Sequence, residues 1–268
     1  MSEQALASST TVQRRLSGLL PSPGSGGPEV FLADRDAVAA AVAGGTDPLL
    51  YQAWRDVLPP RATPPAPGKQ SPEHGPAGTA DGLTWSADLV VYQDGTLPGG
   101  EPFRSTGHWN PEGQVEVFQV LCGRVLIVAA GTSAARGPYA QYQECVAGDV
   151  AVVPLAAWHL TYALDGPAAV FNIYSSQGGN STAATGAGPA KYRSGQGPVP
   201  VAAVRRGSSY AFTWGTTERV APCELVAAAC PEWLGSFLPA GASLADWCTR
   251  AQDGELLQLA RIAARECQ

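Results

Sequence analysis

"STGHWNPEGQVEVFQVLCG", residues 105–123, contains His108, one of only three histidines in this chain of 268 residues. Asn110 follows two positions later, and Glu116 lies in a run whose apolar and polar residues alternate. Alternation of this kind predicts a β-strand with one buried face, and Gly123 marks its end. Taken alone, the stretch fits either an ordinary β-hairpin or one half of a metal site.

The chain around this stretch, from Leu83 to Ser176, has the same character. Runs of β-branched and aromatic residues are separated by Gly, Asp and Pro at intervals of roughly ten residues, a spacing typical of an all-β sandwich or barrel. The chain also contains 31 glycines and 23 prolines, which favour many turns over a helical bundle. We therefore expect a mainly β fold.

The N-terminal part of the chain has a different composition. Residues 1–28 are rich in Ser, Gly and Pro, and we expect a flexible N-terminus. The acidic start, the alanines and the terminal glycines of residues 34–45 predict a short helix. Residues 47–58 are ambiguous between helix and strand, and residues 59–82 form a Pro-rich loop inserted into the domain.

The C-terminal part of the chain changes character again. The β domain is predicted to span residues 29–204, with a final short strand over 199–204. Residues 205–268 are predicted to be a mainly helical appendage. Ser243 and Asp246 have the spacing of a helix-capping box, and apolar residues follow at helical spacing.

Composition excludes several classes of function. The net charge is −6, and no basic patch of the kind that binds nucleic acid is present. No apolar run reaches the roughly 20 residues of a membrane-spanning helix. The N-terminus lacks an apolar signal core, so we expect a cytoplasmic protein. The six cysteines form no C-x-x-C pair, which predicts free thiols and makes a zinc knuckle improbable.

Two histidines of the β region bracket Glu116. His108 precedes the strand that contains Glu116, and His159 follows "GDVAVVP", a strand closed by a proline. The first block reads G-H-x-N-x5-E-x6-G, and the second reads G-x5-P-x-A-x2-H. Imidazole and carboxylate groups are common ligands of divalent metals.

These two blocks resemble the two sequence motifs of the cupin superfamily. The longer segments "DPLLYQAW", "DLVVYQDGTLPGGEPFRSTGH" and "VFNIYSSQGG" are similar to the cupin-type glucose-6-phosphate isomerase family of archaea. This resemblance covers roughly residues 14–204, with residues 59–82 as an insertion. It implies a cupin fold, a jelly-roll β-barrel also called a double-stranded β-helix. It also implies a homodimer.

The resemblance further implies the residues of the site. One divalent ion (Fe, Mn, Ni or Zn) would be bound by His108, Glu116 and His159, with Asn110 as a possible further ligand. Glu116 would also be the catalytic residue of an aldose–ketose isomerisation of a phosphorylated or related sugar, a small-molecule substrate. The implied substrate-binding residues are Tyr51, Thr106, Gly107 and Tyr174. Arg104, next to the first motif, is a further candidate for a bidentate phosphate contact.

Asn110 is the main departure from the family, because it stands where the family has a second histidine. Two histidines and one carboxylate are the ligand set of non-haem Fe(II) oxygenases. Three functions therefore stay open at this point. They are a sugar isomerase, a diverged cupin enzyme with a 2-His-1-carboxylate Fe(II) site, and a non-catalytic cupin that binds a small molecule or acts as a scaffold.

Overall fold

A computed structural model describes residues 9–20, 30–59, 61–63, 83–111, 113–133, 137–177, 199–207, 209–214 and 224–266. The strands are β1 (Thr10–Arg15), β2 (Leu49–Arg55), β3 (Arg61–Ala62), β4 (Leu83–Tyr92), β5 (His108–Trp109), β6 (Glu116–Cys122), β7 (Arg124–Ser133), β8 (Gly137–Val146), β9 (Val150–Val153), β10 (Trp158–Ala163), β11 (Ala168–Gln177), β12 (Val201–Arg206), β13 (Ser209–Trp214) and β14 (Leu225–Ala227). The helices are α1 (Arg35–Ala43), α2 (Leu244–Arg250) and α3 (Asp253–Glu266), with 3-10 turns at Leu16–Leu19 and Glu232–Ser236.

Strands β4 to β11 pair like the two arms of one long folded hairpin. β7 pairs with β8, β6 with β9, β5 with β10 and β4 with β11, all antiparallel. Further pairing of β11 with β6 and of β10 with β7 joins them into two sheets, β4-β11-β6-β9 and β8-β7-β10-β5. This is the double-sheet jelly roll of cupins, so the predicted fold class is confirmed.

The alternation along each strand separates the inside of the barrel from its outer faces. On β6, Phe118 and Val120 pack with Val125 and Ile127 of β7 in the cluster between the sheets. Val117, which lies between Glu116 and Phe118 in the sequence, packs in a separate cluster on the outer face. Successive side chains of a strand point to opposite faces, so Glu116 shares the inner face with Phe118.

Both outer faces of the barrel are covered by later parts of the chain. Leu256 and Leu259 of α3 pack against Trp85 and Phe171 on the outer face of the first sheet. The β12–β13 hairpin covers the second sheet, where its residues pack in one cluster with β7 and β10. Polar contacts fix the C-terminal helices: the side-chain amide of Gln119 donates to the carbonyl of Ala242 and accepts from the backbone nitrogen of Leu244, both at 2.7 Å.

The predicted appendage over 205–268 contains strands as well as helices. Its boundary falls within β12, and the described residues that follow first form β13 and β14 before the helices begin at Leu244. The hairpin partners β12 and β13 bury an apolar face against the barrel, and the sequence predicted only the first of these two strands. The predicted helix cap at Ser243 is confirmed, because the Ser243 hydroxyl accepts from the backbone nitrogen of Asp246 at 3.1 Å.

The N-terminus also departs from the prediction. Residues 10–19, inside the expected flexible segment 1–28, form β1 and a 3-10 turn, because β1 pairs with β2 and Leu16 and Leu19 are fully buried. The predicted helix is α1, capped by the Asp34 carboxylate, and the ambiguous segment 47–58 contains β2. Of the Pro-rich loop, residues 59 and 61–63 are described and include β3, whereas residues 60 and 64–82 lie outside the described residues.

Four of the six cysteines lie in the part of the chain that the structure describes. Cys122, Cys145, Cys230 and Cys248 are free thiols, and Cys223 and Cys267 lie outside the described residues. Within the described part of the chain, no helix combines the length and the apolar character needed to cross a bilayer.

A matched pair of glycines tests the packing beside the first motif. Gly107 has a φ of +74°, and a Cβ there would lie 2.6 Å from Cζ2 of Trp158. Gly166 has nearly the same φ, +73°, with no heavy atom within 4 Å of the added Cβ. Alanine at either position introduces left-handed strain of about 1–2 kcal/mol. At Gly107 overpacking adds about 1–3 kcal/mol. Urea unfolding should show the larger loss for Gly107→Ala, and equal losses would contradict the contact with Trp158.

Candidate metal centre

Three strands bring His108, Glu116 and His159 together inside the barrel. His108 on β5 and His159 on β10 are direct partners across an antiparallel pair, and their ring centroids are 4.3 Å apart. Glu116 opens β6 on the facing sheet, and its Oε2 lies 3.6 Å from Nε2 of His159. One ligand atom from each of the three residues lies within 4.8 Å of the others. The two sequence motifs therefore meet as predicted.

The Glu116 carboxylate is buried and held on both oxygens. Its residue is 1% exposed, and burial of a carboxylate is costly unless hydrogen bonds or a cation replace its hydration. Asn172 on β11 donates from Nδ2 to Oε1 at 2.7 Å. Gln114 donates from Nε2 to Oε2 at 3.3 Å. These two amides fix the plane of the carboxylate and orient it toward the two imidazoles.

The chemistry of these residues fits a divalent cation. Two imidazoles and one carboxylate are a donor set used for Zn and Fe, with ligand bonds of about 2.0–2.2 Å, and small side-chain rotations would close the three groups around one ion. Two buried polar atoms beside the cluster, Nδ2 of Asn110 and Oδ1 of Asn172, have no hydrogen-bond partner among the described residues. Buried polar atoms normally have partners, so a polar occupant of this site is physically reasonable.

Asn110 lies next to the cluster with its carbonyl oxygen already engaged. Its Oδ1 accepts from Nε2 of Gln114 at 3.0 Å, and its backbone nitrogen donates to the carbonyl of Ala157. The oxygen is the atom through which an amide would bind a metal, so the contact with Gln114 competes with a ligand role. Coordination by Asn110 stays a prediction.

Sequence reasoning missed Gln114 and Asn172, although both carried a weak signal. Gln114 lies two residues before Glu116, so strand alternation places both on the same face. Asn172 interrupts the otherwise apolar start of β11, "AAVFNI", and the inner face is where an amide there finds a partner. Neither residue belongs to a metal-ligand pattern, so the sequence motifs do not identify them.

Tyr174 is the predicted substrate-binding residue that lies opposite a candidate ligand. It is the direct strand partner of Glu116 across the β6–β11 pair. Burial, and next the nearby carboxylate of Asp88, raise the pKa of the Tyr174 phenol, which therefore stays protonated at neutral pH. Tyr51 is buried further along the sheet, where its ring packs against Tyr92 at a centroid distance of 5.5 Å.

Arg104 does not join this cluster. It is fully buried, and its Nη1 donates to Glu101 Oε1 at 2.9 Å, to the Phe31 carbonyl at 2.9 Å and to the Tyr162 hydroxyl at 3.3 Å. Tyr162 packs in the cluster on the outer face of the second sheet. Arg104 thus ties the N-terminal segment to the barrel, a position that differs from the expected phosphate contact.

Thr106 and Gly107, the other predicted phosphate neighbours, immediately precede His108. Thr106 is buried, and Gly107 lies against the indole of Trp158. Their closeness to the centre follows from the chain connection to His108. The predicted contact with a substrate phosphate stays a prediction.

Comparisons with known proteins find only weak similarities. No protein-family model matches the chain, and no curated protein matches it in sequence. Among solved structures, an oxalate oxidase in complex with glycolate is 20% identical, with a TM-score of 0.29, over 35% of this chain and 42% of that chain. An oxalate decarboxylase from Lactobacillus farciminis is 20% identical, with a TM-score of 0.28, over 39% and 30%. The Cnp3 cupin domain from Schizosaccharomyces pombe is 8% identical, with a TM-score of 0.27, over 47% and 65%.

These matches span less than two thirds of the compared chains. The strand pairing of this chain defines its fold, and the residues of the site define its chemistry.

The buried pair of Glu101 and Arg104 gives a stability prediction. Glu101→Gln leaves the buried guanidinium without its counter-charge, which costs about 3–5 kcal/mol in comparable buried pairs. Glu144→Gln breaks the pair of Arg124 with the 43%-exposed Glu144 side chain, where the expected cost is about 0–1 kcal/mol. Chemical denaturation of the two variants measures the difference. Similar small losses in the free energy of unfolding for the two variants would show that buried Arg104 does not need Glu101 as its counter-charge.

The centre itself gives a binding prediction. Purified protein reconstituted with Fe(II), Mn(II), Ni(II) or Zn(II) should hold one ion per chain, measured by elemental analysis. Loss of a residue that hydrogen-bonds to a metal ligand weakens metal binding roughly 10–100-fold. His159→Ala removes a ligand itself and should weaken metal binding by more than that. His74→Ala changes the third histidine of the chain and serves as the control. Metal retention by His159→Ala equal to that of the control would contradict the site.

Proposed function

We propose that this protein is a metal-dependent enzyme with a cupin fold, acting on a small-molecule substrate inside the barrel. The proposal is carried by one observation: His108, Glu116 and His159 come from three strands and two sheets, and their ligand atoms lie within 4.8 Å of one another. A structural role alone would not require a half-buried imidazole and a buried one to converge on a buried carboxylate. A bound cation would compensate the buried carboxylate.

The favoured chemistry is that of a 2-His-1-carboxylate Fe(II) enzyme. When bound, an iron(II) ion in such a set supplies redox chemistry with dioxygen and leaves positions for substrate. The support is the local environment of Asn110, whose carbonyl oxygen accepts from Gln114. A donor set with two histidines and one carboxylate is therefore the simplest for these residues.

The protein's own residues provide orientation and exclusion of water. Asn172 and Gln114 hold the two oxygens of Glu116, so the carboxylate needs little reorganisation when it binds a cation. The ring of Phe118 packs edge-on against His159 at a centroid distance of 5.7 Å. This apolar contact restricts the imidazole and limits the access of water to it.

A second candidate is the aldose–ketose isomerisation implied by the sequence resemblance. Tyr174 favours it, because a protonated phenol opposite Glu116 is placed to donate a hydrogen bond to a sugar oxygen. Glu116 is less suited to shuttle a proton between the sugar carbons, since both of its oxygens already accept amide hydrogen bonds. Arg104, the expected phosphate contact, is paired with Glu101.

Two assays on metal-loaded protein distinguish these chemistries. Oxygen consumption by the Fe(II) protein is measured with a panel of small hydroxy acids, keto acids and sugars. Conversion of fructose-6-phosphate to glucose-6-phosphate is measured with each metal in turn. We expect substrate-dependent oxygen uptake that is lost in Glu116→Gln. Isomerase turnover without oxygen uptake would support the second candidate, and protein that binds no metal would exclude both.

A further inference from the structure

Gln114 joins Asn110 to Glu116. Its Nε2 lies 3.0 Å from Asn110 Oδ1 and 3.3 Å from Glu116 Oε2, and all three side chains are buried. A primary amide nitrogen has two hydrogens, so it can donate one to each of these oxygens. We call this contact pair, Asn110–Gln114–Glu116, the amide bridge.

The bridge determines which polar atom of the Asn110 side chain is already hydrogen-bonded and which is not. Its carbonyl oxygen accepts from Gln114, whereas its Nδ2 is buried without a hydrogen-bond partner among the described residues. An amide binds a metal through oxygen, and its nitrogen is a donor only. The bridge therefore presents Asn110 as a hydrogen-bond donor and withdraws it as a ligand.

The bridge also completes the support of Glu116. Asn172 holds Oε1 from β11, and Gln114 holds Oε2 from the segment leading into β6. With only one of these contacts the carboxylate could rotate about its terminal bond. With both, its plane is fixed relative to His159, whose Nε2 lies 3.6 Å away.

We propose that Gln114 is a positioning residue that sets the ligand composition of the site. It orients Glu116 as the carboxylate ligand and turns Asn110 from a ligand into a donor that faces the substrate. This rests on the proposed function, because it concerns the metal held by His108, Glu116 and His159. It goes further by assigning distinct roles to the residue that replaces the family's histidine and to an amide outside the motif.

Cobalt(II) binding to the full-length protein tests the bridge without requiring a substrate. Gln114→Met keeps the length of the side chain and removes the donor, and we expect Co(II) affinity to fall roughly 10–100-fold. Asn110→Leu should lower the affinity less and leave the visible Co(II) spectrum unchanged, because no ligand is lost. Gln114→Met also frees the carbonyl oxygen of Asn110 to bind the ion, so its Co(II) spectrum should change, and the double variant with Asn110→Leu should lose that change.

Two further variants keep the result interpretable. Gln143→Met removes a comparable amide contact, Nε2 to the carbonyl of Val150 at 3.0 Å, and should bind Co(II) like the wild type. Gln114→Leu is measured beside Gln114→Met, with circular dichroism to show that each variant folds.

The outcomes separate this proposal from the function on which it rests. If the wild type binds neither Co(II) nor any other divalent ion, the proposed function fails together with the bridge. If the wild type binds Co(II) and the folded Gln114 variants bind it equally tightly, the bridge alone is overturned. A changed Co(II) spectrum in Asn110→Leu, with additive losses in the double variant, would show that Asn110 is a ligand and also overturn the bridge.

Discussion

The buried carboxylate of Glu116 is the constraint on which the centre of this molecule depends. A carboxylate with 1% exposure has lost its hydration, and that loss must be offset by donors or by a cation. The chain offsets it with Asn172 from β11, Gln114 from the approach to β6 and the imidazole of His159 from β10. The jelly roll supplies all three, because β11 is the neighbour of β6 in the first sheet and β10 belongs to the second sheet, which faces it.

The alternation of side chains along β6 that buries Glu116 on the inner face also directs other side chains outward, where they contact the C-terminal part of the chain. On β6, Phe118 faces the interior, whereas Val117 packs among the residues of the C-terminal helices. Gln119 uses both ends of its amide to hold the start of α2. The C-terminal residues thus cover the outer face of the sheet whose inner face contains Glu116. They are part of one folded unit with the barrel.

The sequence predicted those features that depend on local spacing. Alternation predicted the β-sandwich or barrel, the resemblance of the two motifs to cupin motifs implied the meeting of His108, Glu116 and His159, and the acidic start at Asp34 helped to predict α1. The amide contacts of Glu116 depend on strand register between residues far apart in the chain, which no local pattern encodes. Asn172, for example, is separated from Glu116 by 56 positions.

Predictions from local composition were wrong where a few residues form contacts that their neighbours in the sequence do not indicate. The β-branched start of β1 pairs with β2 despite the Ser-, Gly- and Pro-rich sequence around it. Arg104 illustrates the same limit for charge. Its proximity to the first motif favoured a phosphate contact, but Glu101, Phe31 and Tyr162 surround it, and two of these are distant in sequence.

The central claim is that two imidazoles and one carboxylate bind a single ion, and X-ray absorption spectroscopy at the metal edge tests it most directly. The imidazole ring gives a multiple-scattering pattern from which bound histidines are counted. We expect two metal-bound histidines in the metal-loaded wild type, one in His159→Ala and an unchanged count of two in Asn110→Leu. A first shell without histidine, or a wild type that takes up no ion, would contradict it.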